Sequence, residues 1–449
     1  MSEYLVKSLA QLKALLQERN LASLKGLIAE AHPVDIAEFI KMLSIDESLI
    51  VVKQIEQPKA ATVLTELDKE LRSKILSELS DEEVAYQISE MVTDDATDTV
   101  SLLSDEIRPK IISLIEDKQH AKGIVELLRF GEDTAGGLMA KELVSVKEGW
   151  SVGKSMQEIK KQAENVHKIY SIYVVDKEDK LKGRVPLKDI LINPEKTLIK
   201  DISILDIKHV SVHEKSEEVA GFMQKYDLES IPVTDELGRL VGRITIDDVI
   251  DIIKEEAEKD YQMAAGISTD IEYNTKLIKT IRARLPWLLV GTCGGLFAAY
   301  LIGGFTSIVE SYPIMLIFIP LLQATGGNVG VQASAIVVQA IARNELKGRI
   351  LKRLSGEMLL GLINGITISG IAIVISYFFF DITKKELIVI GLTIIAVIIN
   401  SGIIGTIIPF FLNKKSIDPA IATGPFITTG ADILGILTYF IIAKMLLIG

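Results

Sequence analysis

Cysteine is almost missing from the 449 residues: Cys293 stands alone in an apolar stretch, so no disulfide framework can form within the chain. Histidine is nearly as scarce. Its five copies end at His213, and the apolar part beyond therefore lacks the imidazole and paired thiol donors that soft or borderline metals prefer. No Ser/His/Asp or Cys/His set and no phosphate-binding glycine loop is placed for catalysis, so we expect no enzyme. Charge is scarce locally. From Pro286 onward there are 10 Lys/Arg and 7 acids; subtraction from totals of 49 and 60 leaves 39 basic and 53 acidic residues before it, giving nets of +3 and −14. Acidity confined to the soluble part argues against nucleic acid as a partner and favours cations or basic surfaces. Met1 to Asn20 is a mixed-charge helical pattern rather than a signal peptide, which places the soluble part in the cytoplasm.

What replaces charge after Pro286 is a series of uncharged runs, Pro286–Val309, Ser311–Ala342, Met358–Phe380, Leu387–Leu412 and Pro419–Ala443 apart from Asp432. Five spans fit the ~20 residues each crossing needs. Lys276, Lys279, Arg282 and Arg284 precede Pro286-Trp287, five Lys/Arg lie between Arg343 and Arg353, and Lys414 and Lys415 follow the fourth run. These basic segments fall on one side if five spans alternate, predicting a cytoplasmic N-terminus and an outside C-terminus in the cell (inner) membrane. The second run contains Gln323-Ala324-Thr325-Gly326-Gly327-Asn328-Val329-Gly330-Val331-Gln332, too polar and glycine-rich for a plain lipid-facing helix. It reads as a pore wall whose helix can open locally, or else as a tightly packed small-residue interface. Asp432 is expected to be the only acid deep inside a span. A carboxylate there costs at least ~2.5 kcal/mol, so it should face a cavity or a cation. Thr428, Thr429, Asn328 and Gln332 offer hydroxyls and amides around it. One carboxylate with oxygen and amide donors suits a hard divalent cation that keeps its water.

Ahead of the spans, residues 1–134 show short helical segments opened at Pro33-Val34-Asp35, Pro58-Lys59-Ala60, Ser80-Asp81-Glu82-Glu83 and Thr93-Asp94-Asp95, predicting a superhelical all-α stack. Asp94, Asp95 and Asp98 crowd into about one turn, where acids also suit a helix start. Residues 135–262 change to an alternation of strands and helices that repeats. Tyr170-Ser171-Ile172-Tyr173-Val174-Val175-Asp176, with Gly183 and Asp189 after it, recurs 59 residues later as Glu229-Ser230-Ile231-Pro232-Val233-Thr234-Asp235, Gly242 and Asp248. This resembles a tandem CBS module, an α/β regulatory fold that often binds adenine nucleotides. Thr245 and Asp248 keep the spacing CBS sites use for the ribose, whereas Pro186 replaces the threonine that would pair with Asp189. The next helix carries Asp247, Asp251, Glu255 and Glu258 on one face, a repulsive stripe unless a cation or basic partner neutralises it. A connecting segment, 263–285, leads into the membrane domain, 286–449.

The order of acidic helical domain, CBS pair and five spans, with Gly-Gly-Asn-x-Gly-x-Gln from Gly326 to Gln332, Asp418-Pro419-Ala420, and Gly424-Pro425 ahead of Asp432, looks like the MgtE family of magnesium channels. The resemblance implies a homodimer with one pore on its twofold axis, lined by the second and fifth spans. Asp432 would hold hydrated Mg2+ there, with Gly326, Gly327, Asn328, Gln332, Thr428 and Thr429 lining the path. It also implies closure by cytosolic Mg2+ bound through Asp94, Asp98, Glu217, Asp227, Asp248, Asp251, Glu256, Asp260 and Asp418, and ATP as a ligand of the CBS pair. Lys259 stands where the family pattern calls for an acid, implying a shifted magnesium threshold, and Asp247 falls off the family positions. Two other expectations stay open: a broader transporter of Co2+ or Mn2+, and a non-conducting CBS sensor in the membrane.

Overall fold

The computed structural model describes residues 11–448 apart from 17, 19, 167, 269, 270, 272–274, 344–349, 416 and 423. Residues 1–10, and Lys347 and Arg349 of the basic loop, lie outside them. Two compact units, Met1–Lys254 and Glu255–Gly449, divide the chain within one continuous helix, Ile246–Ala264.

The first unit begins with short helices whose starts are chemically marked. Ser44 and Ser80 form full capping boxes with Glu47 and Glu83, Asp68 and Asp117 cap the helices after them, and Pro33 and Pro58 occupy first turns. Pro33–Ile40 packs on Gln57–Thr65, which packs on Asp81–Ser89, which packs on Arg108–Leu114. Each helix thus meets the one two positions on, which gives a stack rather than a closed bundle. Leu24, Ile40, Val63, Leu64, Ile75, Ile88 and Val100 are fully buried between them, each burial contributing about 1.5–3 kcal/mol. Thr93 does not cap its helix as expected. It lies inside Thr93–Ser101, and the carboxylate of Glu142 accepts from its N–H at 3.1 Å and its hydroxyl at 2.8 Å.

Two sheets follow. Strands β1 (Val144–Lys147), β2 (Ile172–Val175), β3 (Leu181–Val185) and β4 (Ile204–Leu205) form one; β5 (Val210–Ser211), β6 (Ser230–Thr234) and β7 (Leu240–Thr245) form the other. In both, the first pair is parallel and the second antiparallel, so the sequence repeat is a structural one. Asp176 accepts from the N–H groups of Glu178 and Lys180, and Asp235 from those of Leu237 and Arg239, the same side-chain turn in each copy. The two turns also bond each other, Leu181 N–H to Gly238 O at 3.0 Å and Leu240 N–H to Asp179 O at 2.9 Å.

Among the described residues, the second unit holds five helices long and apolar enough to cross a membrane: Leu277–Gly303, Pro313–Ala342, Ile350–Phe379, Lys384–Lys414 and Pro425–Ile448. The multidomain class expected above, helical stack, CBS pair and five-span helical domain, is the class observed. Span limits differ from the hydropathy reading most at the starts of three spans. The first helix starts nine residues before Pro286 (286 − 277), so the basic residues ride on its opening turns. The third starts at Ile350 rather than Met358, carrying Glu357 into the helix. The fifth starts at Pro425, after a short turn at Pro419–Ala422 and Gly424 at φ +67°. Charged groups paired along a helix continue it past the point where apolarity ends.

Candidate functional site

In the fifth span, Asp432 stands one turn after Thr428. It is half-buried and has no hydrogen-bond or ion-pair partner among the described residues. Gly424 and Pro425 end the preceding turn and start the helix, which fixes how deep Asp432 sits: about 10 Å along the axis at 1.5 Å per residue. Thr428 donates to Pro425 O at 3.2 Å and faces Gly327 of the second span.

The second span is one unbroken helix from Ile319 to Ala342; its glycines pack and do not open it. Gly326 faces Val397 and Ser401 of the fourth span, and Gly330 faces Ile427 of the fifth. Gly405 of the fourth span approaches the Gly330 carbonyl so closely that a Cβ would lie 2.3 Å from it. The helix is not opened locally at these glycines, and small residues let three helices approach closely. Gly326 is enclosed within one chain. Thr429 likewise turns to the first span, against Gly294. Asn328 is exposed. Gln332 lines a pocket of about 70 Å³ between the second, third and fourth spans, with Glu357 and Asn364 in its wall. Sequence reading missed Glu357 because it placed that residue outside the third span. Only 6 % of its side chain is exposed, and it is ion-paired with Arg353 one turn earlier. Asp432 is therefore not the only acid within a span helix: Glu357 is neutralised by Arg353, and Glu386, in the first turn of the fourth span, accepts from the N–H and hydroxyl of Thr383.

The acids outside the membrane-length helices divide. Asp94 and Asp95, in the first turn of Thr93–Ser101, lie within electrostatic reach of Asp248, in the first turn of Ile246–Ala264. Burial, then Asp95 and Asp248, push the Asp94 carboxyl well above its ordinary range. Asp95 is pushed up to about 6 by burial, against the opposing charge of Arg72 and reinforced by Asp248, Asp98 and Glu66. Burial also raises Asp248, partly offset by its bonds from Thr245 and reinforced by Asp247 and Asp251. Asp95, Glu142, Glu66 and Arg72 belong to this neighbourhood and were not singled out as site residues; the run Asp94-Asp95-Asp98 was the available signal.

Asp98 and Asp251 are exposed on the same two helices, and Glu217 is exposed in the first turn of Ser216–Lys225. Asp227, at φ +51°, lines a different feature. That is a cavity of about 450 Å³ between the CBS copies, walled by Tyr170, Tyr173, Arg184, Lys208, Asp227 and Glu229 among others. Thr245 and Asp248 do not line it. The Thr245 hydroxyl and N–H donate to Asp248 Oδ2 at 2.6 and 3.1 Å, half of a capping box at the start of the long helix. In the second unit, Glu256 pairs with Lys259 at 3.2 Å, Asp260 is exposed, and exposed Asp418 accepts from Ala420 N–H at 2.8 Å ahead of the fifth span. Among the described residues no three His, Cys, Asp or Glu converge as a metal cage.

Residues 31–133 match the family described as MgtE intracellular N domain, 135–195 and 199–255 match CBS domains, and 319–442 match a family described as divalent cation transporter. The magnesium transporter MgtE of Enterococcus faecalis is 37% identical over 73% of this chain and 72% of its own length. The namesake from Thermus thermophilus is 33% identical over 72% of each. A crystal structure of the cytosolic domain of the Mg2+ channel MgtE in complex with ATP is similar to this chain at 32% identity and a TM-score of 0.52, covering 54% of this chain and 99% of that one. By identity over nearly three quarters of two relatives, together with its matches to the N domain, CBS and transporter families, the chain belongs to the MgtE family, which transports magnesium and is not a family of enzymes.

Proposed function

We propose that the protein is a magnesium-selective channel for uptake, closed by magnesium on its cytosolic side. The observation that carries the conduction reading is Asp432, a carboxylate in a membrane span without a partner of its own, in contrast to Glu357 beside Arg353. A fixed charge of that kind is stabilised by a passing cation, and its ~2.5 kcal/mol insertion cost is then recovered as ion attraction. Magnesium gives up its water reluctantly, so a single carboxylate, with Thr428 one turn before it and Asn328 next to the Gly327 that Thr428 faces, would act on the hydrated ion. Two copies of the chain would place two such aspartates on a common axis, with the N-terminus cytoplasmic and the C-terminus outside.

Closure would follow from the acid cluster. Asp94, Asp95 and Asp248 repel one another across two elements of the first unit, and a divalent ion between them favours the compact arrangement. Moving closure from 1:99 to 99:1 requires ~5.5 kcal/mol, so several ions acting together fit better than one. The CBS cavity, with Tyr170, Arg184 and Lys208 in its wall, would take ATP. The family description as divalent cation transporter supports a second reading, transport of Co2+ or Mn2+ as well.

Magnesium flux into liposomes holding the full chain tests conduction. Asp432→Ala should abolish it at low internal magnesium; wild-type flux by that variant would reject the pore assignment. Competition by Co2+ or Mn2+ at equal concentration separates the two readings.

A further inference from the structure

A buried cation lies behind the acid cluster. Arg72 falls on the inward face of Lys69–Ser77 with Ile75 and Leu76, a position where an apolar side chain is the rule, and it is 8 % exposed. Among the described residues of the helical stack it is the one buried Lys or Arg. Its Nη2 donates to the carbonyls of Thr65 and Leu67 where the Gln57–Thr65 helix ends, and its Nη1 donates to the hydroxyl of Thr99 at 3.3 Å. Nε, also buried, has no hydrogen-bond partner among the described residues. Thr99 stands four residues after Asp95, on the same face of the acid-bearing helix, and Asp98 is its neighbour. The guanidinium is therefore held at that helix by Thr99. Its charge acts on Asp95 and Asp98 through space.

We propose that Arg72 is a built-in counter-charge of the acid cluster and sets how much cytosolic magnesium is needed to close the protein; this rests on the gating reading above. The guanidinium is a positioning group and touches no ion. It offsets part of the repulsion among the acids before an ion arrives, and it opposes the arrival of a divalent cation. The first favours the compact arrangement by itself; the second is the larger, because the ion brings two charges against the one that Asp248 brings, so the net effect raises the magnesium concentration at which the compact arrangement is reached. A neutral side chain of similar length should lower that concentration, whereas a structural role alone would predict only lost stability.

The test is magnesium-dependent protection of the full-length protein from chymotrypsin in detergent micelles, at fixed ionic strength. Arg72→Gln should reach half-protection at about threefold to tenfold less magnesium than wild type, and Arg72→Lys, which keeps the charge, should stay within about twofold. Exposed Glu66 lies in the same field, so Glu66→Gln should shift half-protection to higher magnesium. If Arg72→Gln fails to fold, Glu66→Gln decides, and an unchanged midpoint overturns the proposal. An unchanged or raised midpoint in folded Arg72→Gln, or equal shifts in the Gln and Lys variants, also overturns it. Absence of magnesium protection in the wild type would instead reject the gating reading itself.

Discussion

A Cβ on Gly424 would lie 2.3 Å from the carbonyl oxygen of Ala264. Gly424 ends the turn ahead of the fifth span at φ +67°, and Ala264 is the last residue of the long helix that leaves the CBS pair. Backbone meets backbone there, with no side chain that could move aside. Gly266, at φ +79°, sits against the ring of Pro425 in the same contact, and Ser268 bonds Ala283 O of the first span at 2.9 Å. The end of the connector is thus fastened to two membrane helices, one of them bearing Asp432.

Gly424→Ala should lower the thermal midpoint in detergent and reduce magnesium flux together, since left-handed backbone alone costs about 1–3 kcal/mol for a side-chain-bearing residue. Gly370→Ala, where a Cβ meets nothing within 4 Å, should leave both unchanged. Equal behaviour of the two variants would show that the contact is dispensable.

Glu357→Gln should destabilise the membrane unit by about 1–3 kcal/mol, less than a fully buried pair because the Arg353 side chain is 32% exposed. Adding Arg353→Gln should restore part of the loss, and thermal melts of both single variants and the double variant measure the coupling. Additive losses would mean that the two charges do not interact.

The acid cluster predicts a pH dependence in the absence of divalent ions. Asp95 moves from an ordinary 3.8 to about 6 on folding, so between those values the folded state holds more protons than the unfolded one, and stability falls as pH rises. The thermal midpoint should therefore be lower at pH 7 than at pH 5, and Asp95→Asn should flatten the slope. A midpoint that climbs across this window in the wild type contradicts the direction.

Thr245→Val removes a helix-start hydrogen bond and should cost about 0.5–2 kcal/mol. If ATP enters the CBS cavity, the thermal shift it produces should survive in Thr245→Val and disappear in Arg184→Gln, because only the latter residue lines the cavity. The opposite pattern would move the nucleotide to Thr245 and Asp248.

Most of the architecture was legible because it rests on period and charge. Apolar runs of span length, a 59-residue repeat and capping residues before short helices are local signals, and each corresponds to an element observed. What was illegible depends on which side of an element faces which neighbour. Gly326 and Gln332 are separated by less than two turns, yet one packs on the fourth span and the other lines a pocket beside the third. Hydropathy cut Glu357 from its helix because it scores a charge as solvent-exposed, whereas Arg353 one turn away neutralises it. Arg72 was invisible for the converse reason: its acceptors Thr65, Leu67 and Thr99 come from the end of one helix, the bend after it and a third helix, and no spacing in its own segment announces them.

The paired turns of the CBS copies have a consequence for how that region is assembled. Leu181 completes its backbone bonding with Gly238 of the second copy, and Leu240 with Asp179 of the first. Each half lends the other the rung on which its hairpin closes. A fragment truncated after β4 would lack that donated rung and leave a raw sheet margin, so the duplicated halves mature as a pair and fail as a pair.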